Sequence, residues 1–286
     1  MSGFRRAGFV VLLAATLFCA APSALTEGTA KNNRDKIVQA QIALTVSESK
    51  RLIAKAVAQM PIVKDALKNG MVIITKGTTN TYVAEEILGK KIAHGAYVFG
   101  RTYPEKGGKE LGDVKSIGEV ILVKGKHRED LSLAEAVKML KPGDVVIKGA
   151  NALDYENKTA AVIVGSSSGG TTGKILPYVG SRKAHLIIPV GLEKEVAGDP
   201  VDIAKKMCEP IESLNKIPSM FFLNGQIITE LEALKFLAEV SVFQAAAGGI
   251  GGAEGSVRLI CRGTRKQVLK ALKLAKEIQG EPPFVE

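Results

Sequence analysis

The chain has 286 residues, 46% hydrophobic and 24% charged, a globular composition with length for one large core or two modest domains. Its formal charge is +10, yet the basic residues are dispersed (Lys90-Lys91, Lys124 to Arg128, Arg262 to Lys276), aromatics are only 5%, and none interleave with them. That pattern argues against a nucleic-acid interface and for attraction to small anions or to an anionic membrane surface.

The first residues read as an export signal. Arg5 and Arg6 precede an uncharged, mostly apolar run from Ala7 to Ala21, too short for a comfortable membrane span. The small residues of "CAAPSALTEG" then offer a cleavage site near Ser23 or Ala24. Residues 1–24 are therefore expected to be a signal peptide and 25–45 a linker, polar from Ala30 to Asp35. An exported location follows, and a cytoplasmic one if the signal is not used. Cys19 follows bulky Phe18, which disfavours a lipoprotein site. Cys208 and Cys261 have no C-x-x-C partner and are expected to be buried thiols, with a disulfide between them the alternative.

A long helix is expected from Ser47 to Asn69, interrupted by Pro61 and stopped at Asn69-Gly70. The apolar run from Val72 is a strand, and Tyr82 to Leu88, closed by Gly89, is a helix. Ile92 to Arg101 reads as strand and loop, "YPEKGGKELGD" as turns, and Ile117 to Val123 as a strand. A capped helix spans Asp130 to Leu140, and strands follow at Val145 to Lys148, Ala160 to Val164 and Ala184 to Val190. Beyond them lie helices at Asp202 to Cys208 and Glu230 to Glu239, strands at Val240 to Ala246 and Val257 to Cys261, and an amphipathic helix from Arg265 to Ile278. Strands alternating with helices predict an α/β fold with a mainly parallel sheet, and the last quarter a smaller α+β unit.

In such sheets ligands sit beyond the carboxyl ends of the strands, and four loops qualify. Lys76-Gly77-Thr78-Thr79-Asn80 combines a glycine, two hydroxyls and a helix start; its alternative is a simple helix cap. Lys148-Gly149-Ala150-Asn151 with Asp154 is either a polar site or a turn that satisfies its own backbone. Gly165 to Lys174, containing Ser168, Gly169, Gly170, Thr171 and Lys174, fails the P-loop spacing but could nest an anion; its alternative is a flexible linker. Ala245 to Gly255 lies between two strands and is expected to pack against the rest of the protein. Glu193-Lys194, at a strand end, can do acid–base work and equally reads as a surface ion pair. There is no G-x-S-x-G elbow, and His94, His127 and His185 stand alone, so neither a hydrolase triad nor a zinc site is expected. No cofactor is indicated.

Met71 to Val196 resembles the superfamily of sugar-phosphate isomerases, CoA transferases and lactate-utilisation domains. "IITKGTTNTYVAEEIL" is similar to its strand with a G-[ST]-T phosphate loop. "VVIKGANALD" is similar to its G-A-D-x-x-D, with Asn151 at the first acidic position and Asp154 at the second. "GGTTGKILPYVGSRKAHLIIPVGLEKEV" has the layout of the lactate-utilisation members. The resemblance implies a three-layer Rossmann-like domain over 46–200, with 201–286 as the smaller unit. It also implies anion binding at the first three loops. Chemistry in this superfamily needs a carboxylate base or a glutamate nucleophile. Asn151 replaces one acid, Glu156 is badly spaced, and Asp154 and Glu193 are left as the candidate catalytic groups, with Glu254 a lesser one.

Three readings stay open. The first is a protein that binds a small anionic metabolite without robust isomerase chemistry. The second is an isomerase or acyl/CoA-transfer enzyme. The third is an oligomeric scaffold, and a homo-oligomer is expected in any case.

Overall fold

A computed structural model describes residues 36–100, 102–104, 106 and 114–284. The expected signal peptide, the linker up to Asp35 and most of the "YPEKGGKELGD" turn region lie outside these residues. The described residues form one compact unit.

The described elements begin with strand β1 (Ile37–Leu44), helices α1 (Val46–Gln59) and α2 (Pro61–Asn69), strand β2 (Met71–Ile74) and helix α3 (Thr78–Leu88). Next come β3 (Val120–Val123), β4 (Lys126–His127), α4 (Leu133–Met139), β5 (Val145–Ile147), β6 (Ala152–Asp154) and β7 (Thr159–Val164). They are followed by α5 (Gly170–Arg182), β8 (His185–Pro189), a 3-10 turn (Leu192–Lys194), α6 (Pro200–Met207), β9 (Ser219–Leu223) and β10 (Gln226–Ile228). The chain closes with α7 (Glu230–Ala238), β11 (Ser241–Ala247), β12 (Val257–Thr264) and α8 (Arg265–Ile278).

The protein is a mixed α/β structure. Its central six-stranded sheet has the order β10-β8-β5-β2-β3-β4. The four strands from β10 to β2 are parallel, and β3 and β4 add an antiparallel edge. Every residue of β2 and β5 is buried, so both faces of the sheet centre are covered. The continuous apolar runs "MVII" and "VVI" are what such a position requires. Two antiparallel sheets, β1-β12-β11 and β6-β7-β9, flank it.

Helix boundaries follow local chemistry. Thr45 and Glu48 cap each other's backbone to start α1, and Ser132 with Glu135, Thr229 with Glu232 and Thr264 with Gln267 do the same for α4, α7 and α8. Pro61 opens α2, where its missing N–H costs nothing, and this is the interruption expected in the long helix. Gly89 ends α3 in the left-handed conformation, φ 65°.

Several expectations need correction. Residues 37–44, placed in the linker, form β1 and pair along their whole length with β12. Their alternation puts Ile42 and Leu44 into the core. Residues 201–286 do not stand apart from 46–200: β10 pairs with β8 in the central sheet and β9 pairs with β7. Ile92 to Phe99 is turn and coil, with no strand. Thr78, Thr79 and Asn80 already belong to α3, whose cap position is Gly77. The stretch after Gly170 is a helix despite Pro177. Cys208 is exposed, Cys261 is buried in β12, and both are free thiols. The glycine loop at 248–255 approaches α1 closely only at Gly255, where a Cβ would meet Val46 at 2.3 Å, while Ile250 is exposed.

α1 packs against α3, α7, α8 and β8. Its Arg51 is buried among Glu85, Glu86 and Glu281, donates to all three, and lies 4.6 Å from the Tyr82 ring centre. This network ties the C-terminal segment to α1 and α3. Gly280 N–H also donates to Glu48, and Phe284 stacks on His94 with ring centres 4.5 Å apart.

Candidate functional site

Because β10, β8, β5 and β2 run parallel, the segments leaving their carboxyl ends emerge on one side of the sheet. After β2 come Thr75 to Gly77 and α3; after β5, Lys148 to Asn151; after β8, Gly191 to Lys194; after β10, Thr229 and α7. A cleft of about 520 Å³ opens there. Its lining includes Lys76 to Asn80, Lys148 to Asn151, Lys50, Lys194 and the aromatic side chains Phe99 and Phe284. Two of the loops singled out in the sequence are thus brought together.

Asn80 holds these two loops in place. It is fully buried, and its Nδ2 donates to the carbonyls of Thr75 at 2.8 Å and Ile147 at 3.1 Å. These are the residues at the ends of adjacent strands, so one side chain locks the strand ends side by side. Asn80 Oδ1 has no partner. The Gly77 N–H donates to Tyr97 O at 2.9 Å, and the Thr81 hydroxyl donates back to Gly77 O at 2.9 Å. The first-turn N–H groups of α3 point out of the helix end at the cleft, where helical geometry leaves them without intrahelical acceptors.

Four lysines surround this point. Lys148 is 8% exposed, donates to Gly149 O at 3.0 Å, and burial lowers its ammonium to about 8. Lys76 is more open and donates to Ser116 Oγ at 3.0 Å. Lys50 comes from the start of the second turn of α1 and Lys194 from the 3-10 turn after β8. Among the described residues lining the cleft there is no carboxylate. The site is therefore cationic, partly desolvated and rich in N–H donors.

The remaining predicted residues lie elsewhere. Asp154 ends β6 and accepts from Asn157 N at 3.0 Å and Asn157 Nδ2 at 2.8 Å, bonds that hold its carboxyl below the usual range. It closes the β6–β7 hairpin, the self-satisfying turn that was the alternative reading of "GANALD". Asn151 reaches the cleft rim, but its Oδ1 is taken by Ile163 N at 2.9 Å. Ser168, Gly169, Gly170, Thr171 and Lys174 do not line the cleft. They come after β7, which belongs to the separate β6-β7-β9 sheet and reaches the cleft only at Val162. Gly169 is left-handed, φ 75°, and sits against Phe221 and Gly173, which accounts for its identity by packing.

Glu193 and Lys194 do form the expected ion pair, Nζ to Oε1 3.9 Å, but the Glu193 side chain is only 10% exposed and neither carboxylate oxygen has a hydrogen-bond partner. The carboxylate lies over Gly191, where a Cβ would come within 1.8 Å of Oε2, so this placement needs glycine. Beside it is Glu230, fully buried, whose Oε2 accepts from Leu192 N at 3.0 Å while Oε1 has no partner. Burial, reinforced by the Glu193 charge, raises Glu230 to about 7. Burial lowers Lys50 to about 8, with Glu193 and Glu230 opposing the shift and Lys194 adding to it.

Sequence reasoning missed Lys50, Glu230 and the aromatic walls. The T-x-x-E pattern at Thr45–Glu48 marks the α1 start and places Lys50 in the buried stretch that opens the helix, at its fifth residue. No local signal marks Phe284, which reaches the cleft only through the folded-back C-terminal segment. No family model, curated protein or solved structure significantly matches the chain.

Proposed function

We propose that the chain binds a small anionic metabolite, bearing phosphate or carboxylate, in the cleft beyond the carboxyl ends of β2 and β5. One observation carries this reading: Lys50, Lys76, Lys148 and Lys194 line, with no carboxylate among the described lining residues, the same cleft as the N-terminus of α3. The anion lies against the N–H groups of Thr78 and Thr79 and the ammonium of Lys148, and Lys76 balances charge from the open side. The resemblance to sugar-phosphate isomerases and their relatives supports the same placement, with a three-layer Rossmann-like sheet and a phosphate loop after its first parallel strand.

A second reading, an enzyme of the isomerase or acyl-transfer type, is favoured by the two unpartnered oxygens of buried Glu193. Asp154, satisfied within its hairpin, has no part in it.

Thermal unfolding with inorganic phosphate, sugar phosphates, CoA and simple carboxylates tests binding. A ligand at a hundred times its Kd adds about 2.7 kcal/mol of stability, a clear rise in Tm. No rise with any of these at millimolar concentration would defeat the anion reading.

A further inference from the structure

The anion-binding reading uses Lys50 only as one of four charges and leaves Glu193 and Glu230 beside it without a task. Lys50 is 6% exposed and lines the cleft, and among the described residues it is held by through-space charge with no direct ion pair. Behind it are two buried carboxyl groups with three oxygens that lack hydrogen-bond partners. Buried polar groups are normally satisfied, because each one left unpaired costs on the order of 1–3 kcal/mol. Three such oxygens beside an unpaired amine, all at strand ends, mark a group kept for chemistry. Gly191, bare where a Cβ would strike Glu193, holds the arrangement open.

We propose that Lys50 is a carbonyl-reactive amine, so that the cleft takes an anionic aldehyde or ketone whose carbonyl carbon Lys50 attacks. This rests on the anion-binding reading: Lys76, Lys148 and the first turn of α3 hold the anion. A desolvated lysine with a second cation nearby keeps a usable fraction of neutral amine near physiological pH, and Lys194 is that cation. The nitrogen lone pair forms the C–N bond as the carbonyl π electrons move to oxygen, and the proton lost by the new ammonium passes to that oxygen through solvent water. A water proton then breaks the C–O bond and releases water, and the hydroxide so formed takes the remaining N–H proton, leaving a C=N bond to Lys50. Amine plus carbonyl gives imine plus water, with no oxidant or reductant.

The test is reductive trapping. The full chain is treated with pyridoxal 5′-phosphate and borohydride, digested, and mapped by mass spectrometry, with pyridoxal and excess inorganic phosphate as controls. Lys50 is expected to be labelled about tenfold faster than exposed lysines such as Lys270 and Lys273, with phosphate or omission of the phosphate group suppressing the difference. Glu230→Gln, which keeps an acceptor for Leu192 N–H and removes a charge that favours the Lys50 ammonium, is expected to speed labelling at Lys50 near pH 8 and leave Lys270 unchanged. Labelling at Lys50 no faster than at Lys270, in a protein that phosphate still stabilises, overturns the imine inference alone. Absence of phosphate stabilisation as well removes the anion reading with it.

Discussion

The buried carboxyl of Glu230 makes stability depend on pH in a defined window. An exposed glutamate titrates near 4.5; burial and then the Glu193 charge raise Glu230 to about 7. The folded state thus holds this proton where the unfolded chain has released it. The contribution to stability is fully present below about pH 4.5 and is lost as pH rises through about 7. The shift is worth about 3 kcal/mol at about 1.4 kcal/mol per pH unit. Glu230→Gln removes the titration and retains the acceptor for Leu192 N–H. Urea unfolding of both proteins across this window is expected to show the wild type losing about 3 kcal/mol relative to the variant as pH rises. Parallel curves would refute the assignment of Glu230 as a buried, proton-holding acid.

Arg51→Met leaves Glu85 buried without its guanidinium and frees Glu281, and is expected to cost about 3–5 kcal/mol by urea unfolding. Arg51→Lys should recover little, since one ammonium cannot span three carboxylates. Gly225→Ala places a Cβ 2.4 Å from Leu186 O in β8 and is expected to cost about 1–3 kcal/mol by thermal unfolding. Asp154→Asn is expected to bind phosphate as the wild type does; weaker binding by calorimetry would return Asp154 to the site.

Where the chain advertises its fold, it does so through punctuation and periodicity. Pro61, Gly89 and the apolar spacing of Arg265 to Ile278 place helix boundaries close to where they occur. β1 escaped because its polar alternates, Gln39 and Gln41, resemble the polar stretch before it; only pairing with β12, more than two hundred residues away, makes it a strand. The same non-locality governs the site. The loops after β2 and β5 were legible because a short-range pattern of strand, glycine and polar residues marks them. The loop at 165–174 carries the same pattern but comes after a strand of another sheet, and no local feature tells the two cases apart. Lys50 and Glu230 sit near the starts of α1 and α7, where charged residues ordinarily face water; tertiary packing buries them.

The anion cleft is tested most directly by isothermal titration of inorganic phosphate into the wild type and Lys148→Met. The substitution removes a desolvated ammonium beside α3 and should not weaken folding, because Lys148 is charged at a cost. A charge-assisted hydrogen bond is worth about 1.5–3 kcal/mol, so phosphate should bind the wild type and bind Lys148→Met at least about tenfold more weakly. Equal affinity in the two proteins, or no binding to either, would contradict the anion site at the ends of β2 and β5.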